Sequence, residues 1–268
     1  MRIRALVLVA SGAVALSALA VPAAQAATTA GPAVTFSSLK VNSGKDIVVG
    51  STATVTVSAT YTVTKPASMD PNTLGTLPVL YRGATVGPNS DDLLAGDDAG
   101  TCTVASSTVL HCSAKIQFRP KSSDPDLDLF SSEAGTWKLG AVAGTDSSND
   151  VTWQGDLGTT HLQRRSTLTT NAAPEPVKKG KTITVTGKLA RANWDSNTYA
   201  GYSTQPVKLQ FKKNGATSYT TLKTIKTSTT GALKTTVTAS ADGSFRYVFA
   251  GTTTTSPVTS TGDFVDVQ

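Results

Sequence analysis

The clearest pattern in the chain is a strict alternation of side-chain types between residues 54 and 64. Val55, Val57, Ala59, Tyr61 and Val63 alternate with Thr54, Thr56, Ser58, Thr60, Thr62 and Thr64. Successive side chains of an extended strand point to opposite faces, so this period of two predicts a strand with one apolar and one hydroxyl-bearing face. The same reading predicts an edge strand over "VTFSSLKV" and, in "DIVVGS", a turn at Gly50. It predicts further strands over "TCTVA", "TVLHCSAKIQF", "TWKLGAVAG" and "DVTWQG". Within the second of these, Cys112, Ala114, Ile116 and Phe118 share a face opposite Ser113, Lys115 and Gln117.

Beyond residue 164 the predicted strands come at short, regular intervals. "KTITVTGKL" sets Ile183, Val185 and Leu189 on one side. "PVKLQFKKNG" points Val207, Leu209 and Phe211 inward and Lys208, Gln210 and Lys212 outward. Asn214-Gly215 predicts a hairpin, because both positions tolerate a left-handed backbone. Its partner is "TLKTIKT", where Leu222 and Ile225 are three apart, a spacing that predicts a bulge or an irregular register. "ALKTTVTA" turns at Asp242-Gly243 into "SFRYVFA", and "DFVDVQ" is the last segment. Pro174 and Pro176 break the first strand, as expected at a sheet edge. About seven strands in about 103 residues is a β-sandwich count.

Composition agrees. Thr, Ser, Val, Ala and Gly dominate, and β-branched residues suit a pleated strand. Neither half shows a long helical period or a repeat of fixed spacing. The expected fold is all-β, with two different immunoglobulin-like β-sandwich domains in tandem.

The first residues carry an address. Arg2 and Arg4 precede the apolar run "ALVLVASGAVALSALA", and Ala24 to Ala26, "AQA", fits a small-residue cleavage pattern. A signal peptide over 1–26, cut before Ala27, makes the mature chain secreted and extracellular, and no later segment is apolar enough to span a bilayer. An uncleaved anchor is the alternative. Charge then divides the mature chain. Residues 27–163 hold 8 Lys and Arg against 13 Asp and Glu, net −5, and residues 164–268 hold 14 against 5, net +9. This break in sign places the junction at 163/164, between an acidic first domain with one disulfide and a basic second domain.

Cys102 and Cys112 are symmetric about Ser107, so a tight hairpin through Ser106 to Thr108 sets them opposite each other. In an exported chain an even pair reads as a disulfide. Free thiols or a metal pair are the alternative, with only His111 close by.

Three stretches of the second half carry a resemblance: "LTTNAAPEPVKKGKTITVTGKLARANWDSNTYAGY", "PVKLQFKKNGATSYTTLKTIKT" and "ALKTTVTASADGSFRYVFAGTTTTSPVTSTGDFVDVQ". They resemble the C-terminal domain of a family of secreted actinobacterial proteins with immunoglobulin-like β-sandwich character, often labelled "calcium-binding protein". The likeness is strong over 166–268 and weaker through "LKVNSGKDIVVG", "LYRG", "TWKLGAV" and "LQRRS". It implies the sandwich fold and raises Ca2+ as a cofactor, but it supplies no ligand motif to set on these positions.

The candidate calcium ligands are Asp91, Asp92, Asp97 and Asp98 in "NSDDLLAGDDAG", together with Asp124, Asp126 and Asp128 in "DPDLDL". Ca2+ takes six to eight oxygens. Neither stretch is an EF-hand: counted from Asp124, Leu129 stands where glycine is required and Gly135 where glutamate is required. The competing reading is two solvated loops. Taken as a strand, "DPDLDLF" sets the three aspartates on one face and Leu127 and Leu129 on the other, which explains the pattern without a metal.

Catalytic motifs for a serine elbow, a zinc helix and a phosphate loop are missing from the sequence. His111 and His161 read as surface residues. A hydrolase using paired aspartates of the first domain is the alternative from another class.

The basic second half suggests attachment to an anionic cell-wall polymer through Lys208, Lys212, Lys213, Lys223, Lys226 and Lys234, placed near one another in the predicted sheet. Such lysines also solubilise strand edges. Trp137 and Trp153 read as core. Trp194, Tyr199 and Tyr202 offer either a carbohydrate-stacking loop or a buried anchor. Nucleic acid is not expected as a partner, because the chain is exported and has few aromatics.

Overall fold

The computed structural model describes residues 31–268 apart from 89, 91 and 147. The expected signal peptide, 1–26, lies outside the described residues. Ten strands occupy the first half: β1 Thr35–Val41, β2 Ile47–Val49, β3 Val55–Thr64, β4 Leu74–Arg82, β5 Asp92–Ala95, β6 Thr101–Val104, β7 Val109–Phe118, β8 Gly135–Thr145, β9 Ser148–Gln154 and β10 Thr159–Arg164. Ten more follow: β11 Ser166–Leu168, β12 Asn171–Ala173, β13 Thr182–Asn193, β14 Thr198–Gly201, β15 Pro206–Lys213, β16 Thr220–Lys226, β17 Ala232–Thr238, β18 Gly243–Phe249, β19 Val258–Thr259 and β20 Asp263–Val265. The helical turns among the described residues are short 3-10 segments.

Packing divides the chain into two units that do not follow chain order. One comprises the described residues up to Asp46, Thr56–Gln117 and Trp137–Thr160. The other comprises Ile47–Val55, Phe118–Thr136 and His161–Gln268. Two short segments that precede the charge break at 163/164 therefore pack with the second unit.

In the first unit, β1–β3–β7–β6 form one sheet, and β8–β4–β5 run side by side in another, with β9 on β8. The alternation in β3 does what it predicts: Val57, Ala59, Tyr61 and Val63 are buried, and the residues between them face outward. Cys112, Ala114, Ile116 and Phe118 are buried on β7 in the same way. Tyr61 extends the core contact with a polar tip, its hydroxyl lying 2.8 Å from Thr76 Oγ1. Gln154 closes the edge by acting as a strand would. Its Oε1 accepts from Phe36 N at 2.7 Å, and its Nε2 donates to Phe36 O at 2.9 Å.

β4 departs from alternation because "LGTLPVLY" is apolar on both faces, the signature of a strand covered on both sides. Its second face holds a smaller cluster of Leu77, Val79 and Val142 against Val86, Leu93 and Trp153. Where β3 ends, Lys65 is only 5% exposed. Its ammonium donates to the carbonyls of Pro66, Met69 and Ser107 at 3.3, 2.7 and 2.8 Å. Those three acceptors replace the water that a buried charge loses.

In the second unit β13 is the spine of one sheet. β12 and then β11 pair along one side of it, and β17 and then β14 along the other. The opposing sheet runs β16–β15–β18, with β19 and β20 beyond. These two five-stranded sheets, packed over one shared apolar core, make an immunoglobulin-like sandwich. Ile183, Val185, Leu189, Val207, Leu209, Phe245, Tyr247 and Phe249 fill it. Gly187 permits the close packing at its centre, since a Cβ there would meet Thr169 O at 2.3 Å. Tyr247 donates its hydroxyl to Val185 O at 2.9 Å, and burial pushes its pKa up to about 12.

The expected irregularity in β16 is a bulge. Leu209 pairs with Lys223 and Gln210 with Thr221, so Leu222 is skipped and stands 45% exposed. The Asn214-Gly215 turn forms, with Ala216 N donating to Lys213 O at 2.9 Å and Gly215 at φ 78°. β16 resumes only at Thr220, so the connection is longer than the two-residue hairpin. The turn at Asp242-Gly243 crosses between sheets, because β17 pairs with β13 and β18 with β15.

Candidate functional site

The acidic stretches assemble less than their sequence suggests. "DPDLDLF" is not a strand. Pro125–Leu127 is a 3-10 turn, with Asp124 Oδ1 accepting the Asp126 N–H at 3.0 Å. Asp128 sits in an isolated bridge with Arg119, and its Oδ1 accepts the Ser122 N–H. Proline after an aspartate, and an aspartate that accepts from the residue two ahead, are turn chemistry, and they override the alternation. In the other stretch Asp92 opens β5 and forms an ion pair with Arg82 at 3.2 Å. Asp97 and Asp98 are exposed beyond β5, and Asp91 lies outside the described residues.

Asp92, Asp97 and Asp98 belong to the first unit, and Asp124, Asp126 and Asp128 to the second. Among the described residues, no group of three or more His, Cys, Asp or Glu is placed to hold a metal ion. The thermal midpoint of the mature protein in millimolar Ca2+, compared with a chelator, tests the calcium expectation directly, since a ligand of the native state must raise that midpoint.

The cysteines are paired as the hairpin predicts. Cys102 is the register partner of Cys112 in β6–β7, and the two are bonded. His111 points away from them on the exposed face, its Nδ1 3.5 Å from Thr62 Oγ1.

Aromatic placement decides the sugar-stacking question for Trp194. The indole is 2% exposed and donates from Nε1 to Gly50 O at 2.8 Å, so it is an anchor with no free face. Tyr202 is held between Arg191, whose Cζ lies 3.8 Å from the ring centre, and Phe249. Tyr199 stands 40% exposed.

The outward face of β16–β15–β18–β20 gathers several cations. Strand pairing arranges it in rows. Lys226 stands beside Pro206, Thr224 beside Lys208 and Val248, Thr221 beside Gln210 and Arg246, and Lys212 beside Ser244 and Phe264. Lys208, Lys212, Lys226 and Arg246 thus share one face, and none of the residues paired across it is acidic. Tyr219 folds back over it from the long loop. Arg246 Cζ is 3.7 Å from its ring centre and Lys212 Nζ 5.3 Å. Phe264 is 45% exposed on the same face.

Not every expected lysine joins them. Lys234 pairs with Thr186 in the other sheet, and Lys223 leans off the edge to donate to Thr236 O at 2.9 Å. Lys213 falls on the opposite parity from Lys212 at the end of β15. The bulge at Leu222 and the move of β17 to the other sheet explain these differences.

Among the described residues no helix is long and apolar enough to cross a membrane. No family model matches the chain, and no curated protein matches it. Solved structures similar to it include fibronectin(III)-like modules of Clostridium thermocellum CbhA, at 9% identity over 85% of this chain and 92% of that one, TM-score 0.28. Yersinia pseudotuberculosis adhesin InvE is similar at 12% identity over 82% of this chain and 56% of that one, TM-score 0.28. A set of titin domains is similar at 8% identity over 88% and 66%, TM-score 0.25. What makes both units sandwiches is the pairing of their strands.

Proposed function

We propose that this is an exported, non-enzymatic binding protein that holds an anionic polymer against the outer face of β16–β15–β18–β20. The observation that carries this reading is the gathering of Lys208, Lys212, Lys226 and Arg246 on one sheet face whose cross-strand partners include no carboxylate. Like charges kept together without internal compensation repel one another, and a polyanion relieves that repulsion while releasing its own counter-ions. A flat sheet face with cations at strand spacing suits an extended chain of repeating charge better than a small molecule. The disulfide agrees with an oxidising location.

The test uses labelled inorganic polyphosphate and the mature protein. Binding is expected at low salt and is expected to weaken by at least about tenfold as sodium chloride is raised to about 0.3 M. The double variant K208E/K212E should abolish it, and Lys234→Glu on the other sheet should leave it intact. Binding that survives high salt, or an equal loss from Lys234→Glu, overturns this assignment.

A further inference from the structure

A second cationic feature lies elsewhere in the second unit and differs in kind. Arg164 ends β10, and Arg191 sits near the end of β13. Ser166 pairs with Arg191, and Arg164 lies two residues before Ser166, so both arginines fall on the same side of the sheet. Neither is a freely solvated surface group. Arg164 Nε is buried and has no hydrogen-bond partner. Arg191 Cζ lies 3.8 Å from the Tyr202 ring centre, and its Nη1 donates to Thr255 Oγ1 at 3.1 Å.

Thr255 is itself the backbone bridge partner of Arg164. It closes a turn in which Thr252 N donates to Thr255 O at 2.8 Å. The hydroxyls of Thr252 and Thr254 lie 3.2 Å apart in that turn. The Arg191 guanidinium thus meets a hydroxyl-rich turn that the Arg164 backbone bridges, and among the described residues neither arginine forms a hydrogen bond with a carboxylate. The acid whose charge acts on Arg164 is Asp195, and its Oδ1 accepts from Ser131 N at 3.2 Å.

The electrostatics agree with the geometry. Arg164 is pulled down to about 10, first by burial and then by the charge of Arg191. Arg191 is lowered as well, by burial. Burial raises the Tyr202 phenol, but hydrogen bonds from Thr252 and Thr255 and the charge of Arg191 outweigh it, and the net shift is downward. Natural interiors pair such charges, because an unpaired buried charge is costly. Guanidinium forks match the geometry of a carboxylate or phosphate better than any other side chain does.

We infer that Arg164 and Arg191, with the hydroxyls of the 252–255 turn, form a binding site for a single oxyanion group of a phosphate or carboxylate ligand. The site is separate from the lysine face, and neither assignment depends on the other. An oxyanion there supplies the acceptor that Arg164 Nε lacks and separates the two like charges.

The experiment is thermal unfolding and calorimetric titration of the mature protein with inorganic phosphate, with glucuronate in a second arm to separate phosphate from carboxylate, each against sodium chloride at equal ionic strength. At least one anion is expected to raise the midpoint saturably above the chloride value. Arg164→Gln and Arg191→Gln should remove that increment, and Lys208→Glu should keep it. Should Arg164→Gln fail to fold, Arg164→Lys retains the charge without the fork and is expected to weaken binding by about tenfold. Overlap of both anions with chloride, or an increment that persists in both Arg164 variants, overturns the site.

Discussion

Trp194→Ala is expected to destabilise the second unit by about 3–5 kcal/mol, the range for removing a buried aromatic side chain. The indole is among the largest fully buried side chains, and its loss leaves a cavity where β13 ends. It also deprives Gly50 O of its 2.8 Å donor. Trp194→Phe separates the two contributions. It retains most of the ring and forfeits the hydrogen bond, so a smaller cost of about 1 kcal/mol is expected for leaving a part-buried acceptor unpaired. Urea unfolding with hydrogen exchange by mass spectrometry checks this. Protection should fall in β13, β15 and β18 and hold in β3 and β7. A cost below about 1 kcal/mol for Trp194→Ala would mean that the indole is not an anchor.

Replacing Cys102 and Cys112 together by alanine is expected to cost the first unit about 3 kcal/mol, since the bond closes a short loop in the unfolded chain. The separation of 10 residues is modest, so this effect is smaller than the loss of Trp194. The partners already face each other in the β6–β7 ladder, and Cys112 is buried in the core. Removal should therefore loosen the hairpin rather than redirect it. Exchange protection is expected to drop in β6 and β7 and to stay at the wild-type level in β15 and β18. Unchanged unfolding after complete reduction would contradict the staple.

Much of the fold is legible in the residues. β3, β15 and β18 alternate cleanly because each is buried on one face only. The hairpin that joins the cysteines follows from their symmetry about Ser107. The bulge in β16 follows from the spacing of Leu222 and Ile225.

β13 shows where the pattern gives out. Its buried residues pass from Ile183, Val185 and Leu189 to Ala190, Ala192 and Trp194, so the parity changes between Leu189 and Ala190. At that point the neighbouring strand changes from β17 to β14, and Leu189 N donates to Gly231 O at 2.9 Å. A period-two reading stops there, although the strand runs to Asn193. "DPDLDL" fails in the opposite sense, as its alternation is real in the sequence but proline and aspartate make a turn of it.

The candidate sites were legible to different degrees. Lys208 and Lys212 are visible on one strand face from their spacing alone, whereas Lys234 required knowledge of which sheet β17 joins. Arg164 and Arg191 are far apart in the chain and lie outside the clean alternating runs. Their pairing follows only from the register of β11 on β13. A usable signal was present at Arg191, an arginine flanked by the buried Ala190 and Ala192.

The makeup of the second unit bears on how the protein can be cut. Asn197 Nδ2 donates to Pro120 O at 2.6 Å, Trp194 N to Ser131 Oγ at 3.1 Å, and Trp194 Nε1 to Gly50 O. Every one of those acceptors precedes the charge break in the chain. A fragment cloned from Arg164 onward would encode both sheets of the second sandwich, yet it would expose an indole and an amide whose partners it lacks. Truncations that retain 47–55 and 118–136 respect the packing. A single cut at the apparent junction does not.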